Sequence, residues 1–207
     1  MKKQKFVFVD AETTGFDETA QIIELAAARV DWPSFEIESL YYQRFKPTID
    51  VEEEAARING YTPAAWEGAP KLEEAHARFL SFMDFVTDCR WVGSVPWYDF
   101  DKAERMRKVV DPSRKWALVT RRCIDVGSLG SPLILAGYGD KGGLDELCEV
   151  LNIRSIDDMK VPGLVELCGG RLGPHTAMGD VGRTIRVFRR LMTSFVSNAV
   201  MEPILRD

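Results

Sequence analysis

Apolar residues in the first part of the chain fall in short blocks whose spacing predicts strands before helices. Phe6-Val7-Phe8-Val9 is a run of aromatic and β-branched residues that stops at Asp10, the make-up of a buried strand. Gln21 to Val30 is apolar on both faces, so its period fits a strand or a helix; its flanks select a strand. Asp31-Trp32-Pro33-Ser34 reads as a turn, and Leu40 to Phe45 as a third strand. Three strands in succession predict an antiparallel meander.

Beyond the meander the period lengthens to that of helices. Val51 to Asn59 is a short helical segment closed by Asn59-Gly60. Lys71 to Val86 places Leu72, Ala75, Phe79, Phe82 and Val86 on one face. Arg90 to Val95 reads as a buried strand, Asp101 to Val110 as a charged helix, and Trp116 to Val126 contains another short strand. Gly143 to Leu151 and Ala177 to Met192 are the last helices, the latter with an apolar stripe of Ala177, Val181, Ile185, Phe188 and Met192. Between them Leu129 to Gly143 is dense in Gly and Pro and reads as a connector or as a loop beside a substrate site. Strands followed by alternating strands and helices predict a mixed α/β sheet flanked by helices. With no repeat or low-complexity tract, a single domain over residues 1–207 is expected.

Composition narrows the class without choosing a function. At 45% hydrophobic and 29% charged residues the chain is an ordinary globular protein. No apolar run approaches the roughly 20 residues of a membrane span, and the run behind the basic start Met1 to Lys5 is too short for a signal peptide. A cytoplasmic location with no membrane partner is the expectation. The net charge of −5 argues against wrapping long duplexes but not against gripping a few nucleotides. Cys89, Cys123, Cys148 and Cys168 are scattered without a CxxC pair, which reads as reduced, partly buried thiols.

The chemistry begins where the first strand ends, in Asp10-Ala11-Glu12-Thr13-Thr14-Gly15. Side chains two apart on a strand share a face, so Asp10 and Glu12 converge. Two such charges repel, and burying them is costly unless a cation intervenes; a divalent metal held by oxygen ligands is the simplest one. Asp-x-Glu-Thr-Thr-Gly at a strand end resembles the first motif of the DEDD (DnaQ-like) superfamily of 3′-to-5′ exonucleases, within the ribonuclease H-like superfamily. Val92-Gly93-Ser94-Val95-Pro96-Trp97-Tyr98-Asp99 is similar to the second motif, with Asp99 after an aromatic and Asp101, after Phe100, as its rival. Many members place His-Asn just before this aspartate, and this chain does not. His175-Thr176-Ala177-Met178-Gly179-Asp180 has the His-x4-Asp spacing of the histidine-bearing DEDDh subgroup. Ala56 to Thr62, followed by Gly68-Ala69-Pro70, is similar to the family's segment before its first long helix.

The resemblance implies a ribonuclease H-like fold and a two-metal hydrolysis of phosphodiester bonds at single-stranded 3′ ends, releasing 5′-mononucleotides. Asp10, Glu12, Asp99 and Asp180 would hold two Mg²⁺ or Mn²⁺ ions, a donor set of oxygens that suits those metals rather than zinc. His175 would take a proton from the attacking water. Thr13, Thr14, Gly15 and Phe16 would contact the terminal nucleotide. Trp97 and Tyr98 are further stacking candidates, although core packing is the commoner fate of aromatics. Arg105, Arg107, Lys108, Arg114, Lys115, Arg121 and Arg122, and Arg183, Arg186, Arg189 and Arg190, would track a phosphate backbone or form solvated helix faces. The substrate is DNA, or RNA as in the RNase T and oligoribonuclease branches. Association with a polymerase, oligomeric state, and a non-catalytic end-binding role on the same fold stay open at this stage.

Overall fold

The computed structural model describes residues 5–115, 123–153 and 161–201. Three strands, β1 (Lys5–Thr13), β2 (Ile22–Asp31) and β3 (Ile37–Arg44), form the meander. Helices α1 (Glu53–Asn59) and α2 (His76–Val86) follow, then β4 (Arg90–Gly93), α3 (Pro96–Val110), β5 (Ile124–Asp125), α4 (Val126–Leu135), α5 (Leu144–Val150), α6 (Leu164–Cys168) and α7 (Ala177–Met201). The sheet order is β3-β2-β1-β4-β5, antiparallel across β3, β2 and β1 and parallel from β1 to β4 and β5.

The alternation of β1 decides which acids meet. Phe6 and Phe8 pack into the apolar layer containing Met178, Val181, Ile185 and Phe188 of α7, whereas Val7 and Val9 pack against Phe79, Phe82 and Val86 of α2. Asp10 and Glu12 continue the even-numbered face and therefore look toward α7. On the same face β2 presents Ala26 and Ala28, fully buried, whose small side chains admit the bulk of Phe188 from α7.

Several elements differ from their sequence expectation. The segment from Leu129 to Gly143 is not a continuous loop, because α4 occupies Val126–Leu135. Asp125 caps it, its carboxylate accepting from Gly127 and Ser128 N–H at 3.2 and 2.9 Å. Gly130 lets α4 approach Leu147 of α5, where a Cβ would come within 2.5 Å of the leucine side chain. Capping and close packing override the poor helix propensity of its Gly and Pro. Helix α3 begins at Pro96 rather than Asp101, with proline in its first turn where a missing N–H costs nothing. Helix α2 starts at His76, after turns over residues 71–75. Strand β3 starts three residues early, at Ile37, because its pairing with β2 continues as far as Val30. Of the strand expected within 116–126 only Ile124–Asp125 is described, and residues 116–122, with Arg121 and Arg122, lie outside the described residues. Helix α6 had no visible period in the sequence.

Candidate active site

Strand β1, helix α3 and helix α7 each deliver acids to one end of the sheet. Carboxylate oxygens of Asp10, Glu12 and Asp180 all lie within 4.8 Å of one another. Asp99, in the first turn of α3, is buried, and its charge is felt at Asp10, as the charges of Glu12 and Asp180 are felt at Asp99. Asp101 points elsewhere: it is exposed and paired with Arg105 at 2.9 Å. Asp180 sits in the first turn of α7, where the helix dipole favours negative charge.

That first turn is shaped by its neighbours in sequence. Thr176 Oγ1 accepts from Gly179 N–H at 3.2 Å, an N-terminal cap for α7. Gly179 has no substitute here, since a Cβ would lie 1.9 Å from the carbonyl oxygen of Gly173. His175 adopts φ 57° just ahead of the helix, and Val95 adopts φ 54° just ahead of α3. Left-handed backbone is costly for both side chains, for the β-branched valine above all. Asp125 steadies the second of these kinks by accepting from Val95 N–H at 3.1 Å.

The acids crowd one another. Burial, followed by the charges of Asp180, Asp99, Glu12 and Glu24, holds the Asp10 carboxyl well above the usual carboxylate range. Burial and the charges of Asp180 and Glu24 push Glu12 up to about 8, against the pull of Arg171 and Arg183. Asp99 is raised by burial and by Glu12, with a hydrogen bond from the Ala11 backbone opposing. Asp180 is raised by burial, while Arg183 draws it back down. A cluster of mutually repelling oxygens at this spacing fits hard divalent cations such as Mg²⁺ or Mn²⁺.

Two supporting networks flank the cluster, and neither was identified from sequence. On the β2 side Glu24, fully buried and in register with Glu12, takes Arg171 Nη2 at 2.9 Å and the Tyr42 hydroxyl at 2.6 Å. Arg171 also donates to Asn59 O at 2.7 Å and stacks over Trp66. On the α7 side Arg183 donates from Nε and Nη2 to Asp180 Oδ1 at 2.9 and 2.5 Å, and from Nη1 to Asp145 of α5. Only the three-residue step from Asp180 to Arg183, which puts them on one helix face, was visible in the sequence.

The Thr-Thr-Gly turn is tightly built. Thr13 and Thr14 are buried and their hydroxyls are engaged internally, Thr13 donating to Gly15 O at 2.7 Å and Thr14 accepting from Gln21 N–H at 3.0 Å. These hydroxyls shape the turn instead of projecting from it, since a buried polar group needs a partner close by. Tyr98 donates its hydroxyl to Gly15 O at 2.9 Å, and Asn59 Nδ2 donates to Thr13 O at 3.0 Å. Phe16 and Trp97 are exposed. Two arginines of α3 are engaged within the protein: Arg107 with Glu104, Arg105 with Asp101 and Glu18 O.

A cavity of about 540 Å³ opens over the cluster, lined by Asp10, Asp180, His175, Arg183, Ser94 and Lys141 among others. Asp140 lines it beside Lys141, and the backbone N–H groups of Asp140, Lys141 and Gly142 donate to the Glu146 carboxylate. The end of the Gly-rich stretch therefore does border the site.

Comparison with known proteins agrees with this arrangement. Residues 7–95 match the family model of RNase T-type exonucleases. A curated relative, the DNA polymerase III subunit epsilon of Aquifex aeolicus, is 36% identical over 81 residues, which is 38% of this chain and 38% of the relative. The chain thus matches well under half the length of that relative. Among solved structures, the nuclease domain of 3′hExo, described as a DEDDh family member bound to rAMP, superposes with a TM-score of 0.65 at 14% identity, covering 93% of this chain and 94% of that one. E. coli exonuclease I in complex with a dT13 oligonucleotide gives 0.63 at 20% identity, over 95% of this chain and 43% of that one. At these identities the structural likeness is one of fold, and it is the ribonuclease H-like fold expected. With the exonuclease match over the first motif, the epsilon relative and this fold, the chain is similar to the DnaQ-like, DEDDh exonucleases.

Proposed function

We propose that this protein is a metal-dependent 3′-to-5′ exonuclease, acting at single-stranded nucleic-acid ends and releasing 5′-mononucleotides, with its domain spanning residues 1–207. The observation that carries this reading is the convergence of Asp10, Glu12 and Asp180 within 4.8 Å, on a cavity that His175 also lines. Asp10, Glu12 and Asp180 would hold two Mg²⁺ or Mn²⁺ ions, with Asp99 supporting one of them. Bound there, the ions would lower the pKa of the attacking water and neutralise charge on the phosphate and leaving oxygen.

The chain's own groups do the rest. His175, on a loop beside the acids, takes the proton of the attacking water. The left-handed backbone at His175 aims the residue back over the first turn of α7, where its N–H donates to Asp180 Oδ1 at 3.2 Å. Gly15, buried, lets the Glu52 side chain close over the turn after β1, where a Cβ would come within 2.2 Å of its carboxylate. Phe16, 56% exposed, and Trp97, 54% exposed, offer faces on which the terminal bases stack, for about 1–3 kcal/mol per base. Thr13 and Thr14 act by fixing that turn.

DNA is the first substrate we propose, because the matched relative is a DNA polymerase III subunit. Association with a polymerase and a cytoplasmic location are proposed on the same ground; no helix among the described residues is long and apolar enough to cross a membrane. An RNA end is the second reading, favoured by the likeness to a nuclease domain described with bound rAMP. Matched 5′-labelled DNA and RNA strands separate the two. The expected result is a ladder shrinking from the 3′ end, only with Mg²⁺ or Mn²⁺, and faster on DNA. Folded protein that binds the strand yet leaves it intact with metal present would instead make this a non-catalytic end-binding module.

A further inference from the structure

We propose that Asp145 is a positioning residue for His175, an inference that rests on the hydrolysis proposed above. Asp145 opens α5, and its two oxygens serve different partners. Oδ1 accepts from Arg183 Nη1, and Oδ2 lies 3.4 Å from His175 Nε2. Arg183 commits its remaining forked donors, Nε and Nη2, to Oδ1 of Asp180. The backbone N–H of His175 donates to that same oxygen. The four residues close a ring in which the proposed base and the third-motif acid are tied to one arginine.

The ring answers a problem set by exposure. The His175 side chain is 43% exposed on a loop, so packing leaves the rotation of its ring loosely determined. A carboxylate on Nε2 selects one rotation and one tautomer, with the proton on Nε2 and the lone pair on Nδ1 free to accept. Asp145, itself 61% exposed, would be a mobile partner on its own. Arg183, buried and gripped by Asp180, anchors it. At this exposure solvent screens the charge of the carboxylate, so its contribution is orientation more than attraction. Asp145 is remote from Asp180 in sequence, so no motif spacing exposes the link.

Asp145→Asn tests the inference with two readouts. Asparagine keeps the size of the side chain, and Glu146 keeps an acid in the first turn of α5. The chain holds two histidines, so imidazole ¹⁵N spectra resolve His175 with His76 as internal control. The expected result is a shift of the His175 nitrogens with those of His76 unmoved. Alongside it kcat should fall about 10- to 100-fold, the usual cost of losing an orienting partner, with KM and Mn²⁺ binding unchanged. Unmoved His175 signals, or an unchanged kcat beside a lowered melting temperature, would overturn the inference. Weakened Mn²⁺ binding would overturn it too, since Asp145 would then act through Arg183 on Asp180. A wild type that cleaves no strand overturns the proposed hydrolysis itself, whatever Asp145 does to the ring.

Discussion

Glu12 and Asp180 share the carboxylate cluster, and each has an arginine nearby, but the two arginines engage at different depths. Arg183 grips Asp180 directly. Arg171 grips Glu24, the cross-strand neighbour of Glu12, and reaches Glu12 only through its field. The β-side network is sealed, with Glu24 fully buried and Arg171 stacked on Trp66, while the α7-side network ends at Asp145 in solvent. A sealed frame thus sets one proposed metal ligand, and an open one carries the proposed base beside the other. The proposed hydrolysis needs both, because ligands must be held still while a proton acceptor must reach water and substrate.

Neutralising either acid should separate the two sides. Glu12→Gln and Asp180→Asn are each expected to lower turnover by about a thousandfold, the scale of roughly 4 kcal/mol of lost metal stabilisation. Their melting temperatures without metal should diverge. Glu12→Gln relieves repulsion from Asp180 and Glu24 and should raise stability, whereas Asp180→Asn strips the buried Arg183 of its charged partner and should lower it. Two melting temperatures moving together would break the comparison.

The supporting carboxylates should differ just as clearly. Glu24→Gln leaves Arg171 without its counter-charge and should cost about 3–5 kcal/mol in chemical denaturation. Asp145→Asn, at an exposed position, should stay within about 0.5 kcal/mol. Comparable losses would mean that the α7 side is as sealed as the β side. Smaller again than the Glu24 effect, Gly179→Ala should cost about 1–3 kcal/mol as the first turn of α7 is forced off Gly173.

The contrast also explains what could be read in the sequence. Period two along β1 put Asp10 and Glu12 on one face, and a helical stripe put Asp180 in a first turn, because both signals are local. Glu24 and Arg171 are 147 residues apart, and Glu24 lay inside an apolar run where only the register with β1 gives it meaning. Arg183 was one of several arginines on α7, and only its three-residue step from Asp180 marked it from Arg186 or Arg190. Thr13 and Thr14 looked like substrate hydroxyls until the turn closed around them. Helix α4 escaped because Gly127, Gly130 and Pro132 speak against a helix, and tertiary packing overruled them.

If the crowded acids form a metal centre, protons report on it directly. A carboxyl raised in the folded state binds protons more tightly than in the unfolded chain. The contribution of Glu12 to stability without metal should therefore be fully present below about pH 4.5, its unfolded value, and be lost as pH rises to about 8, its folded value, a slope that Glu12→Gln removes. A metal replaces those protons. Titration of Mn²⁺ by calorimetry near pH 7, in two buffers of different ionisation enthalpy, should show two ions bound with net proton release, reduced in Glu12→Gln. Absence of binding, or binding that releases no protons, would contradict the account.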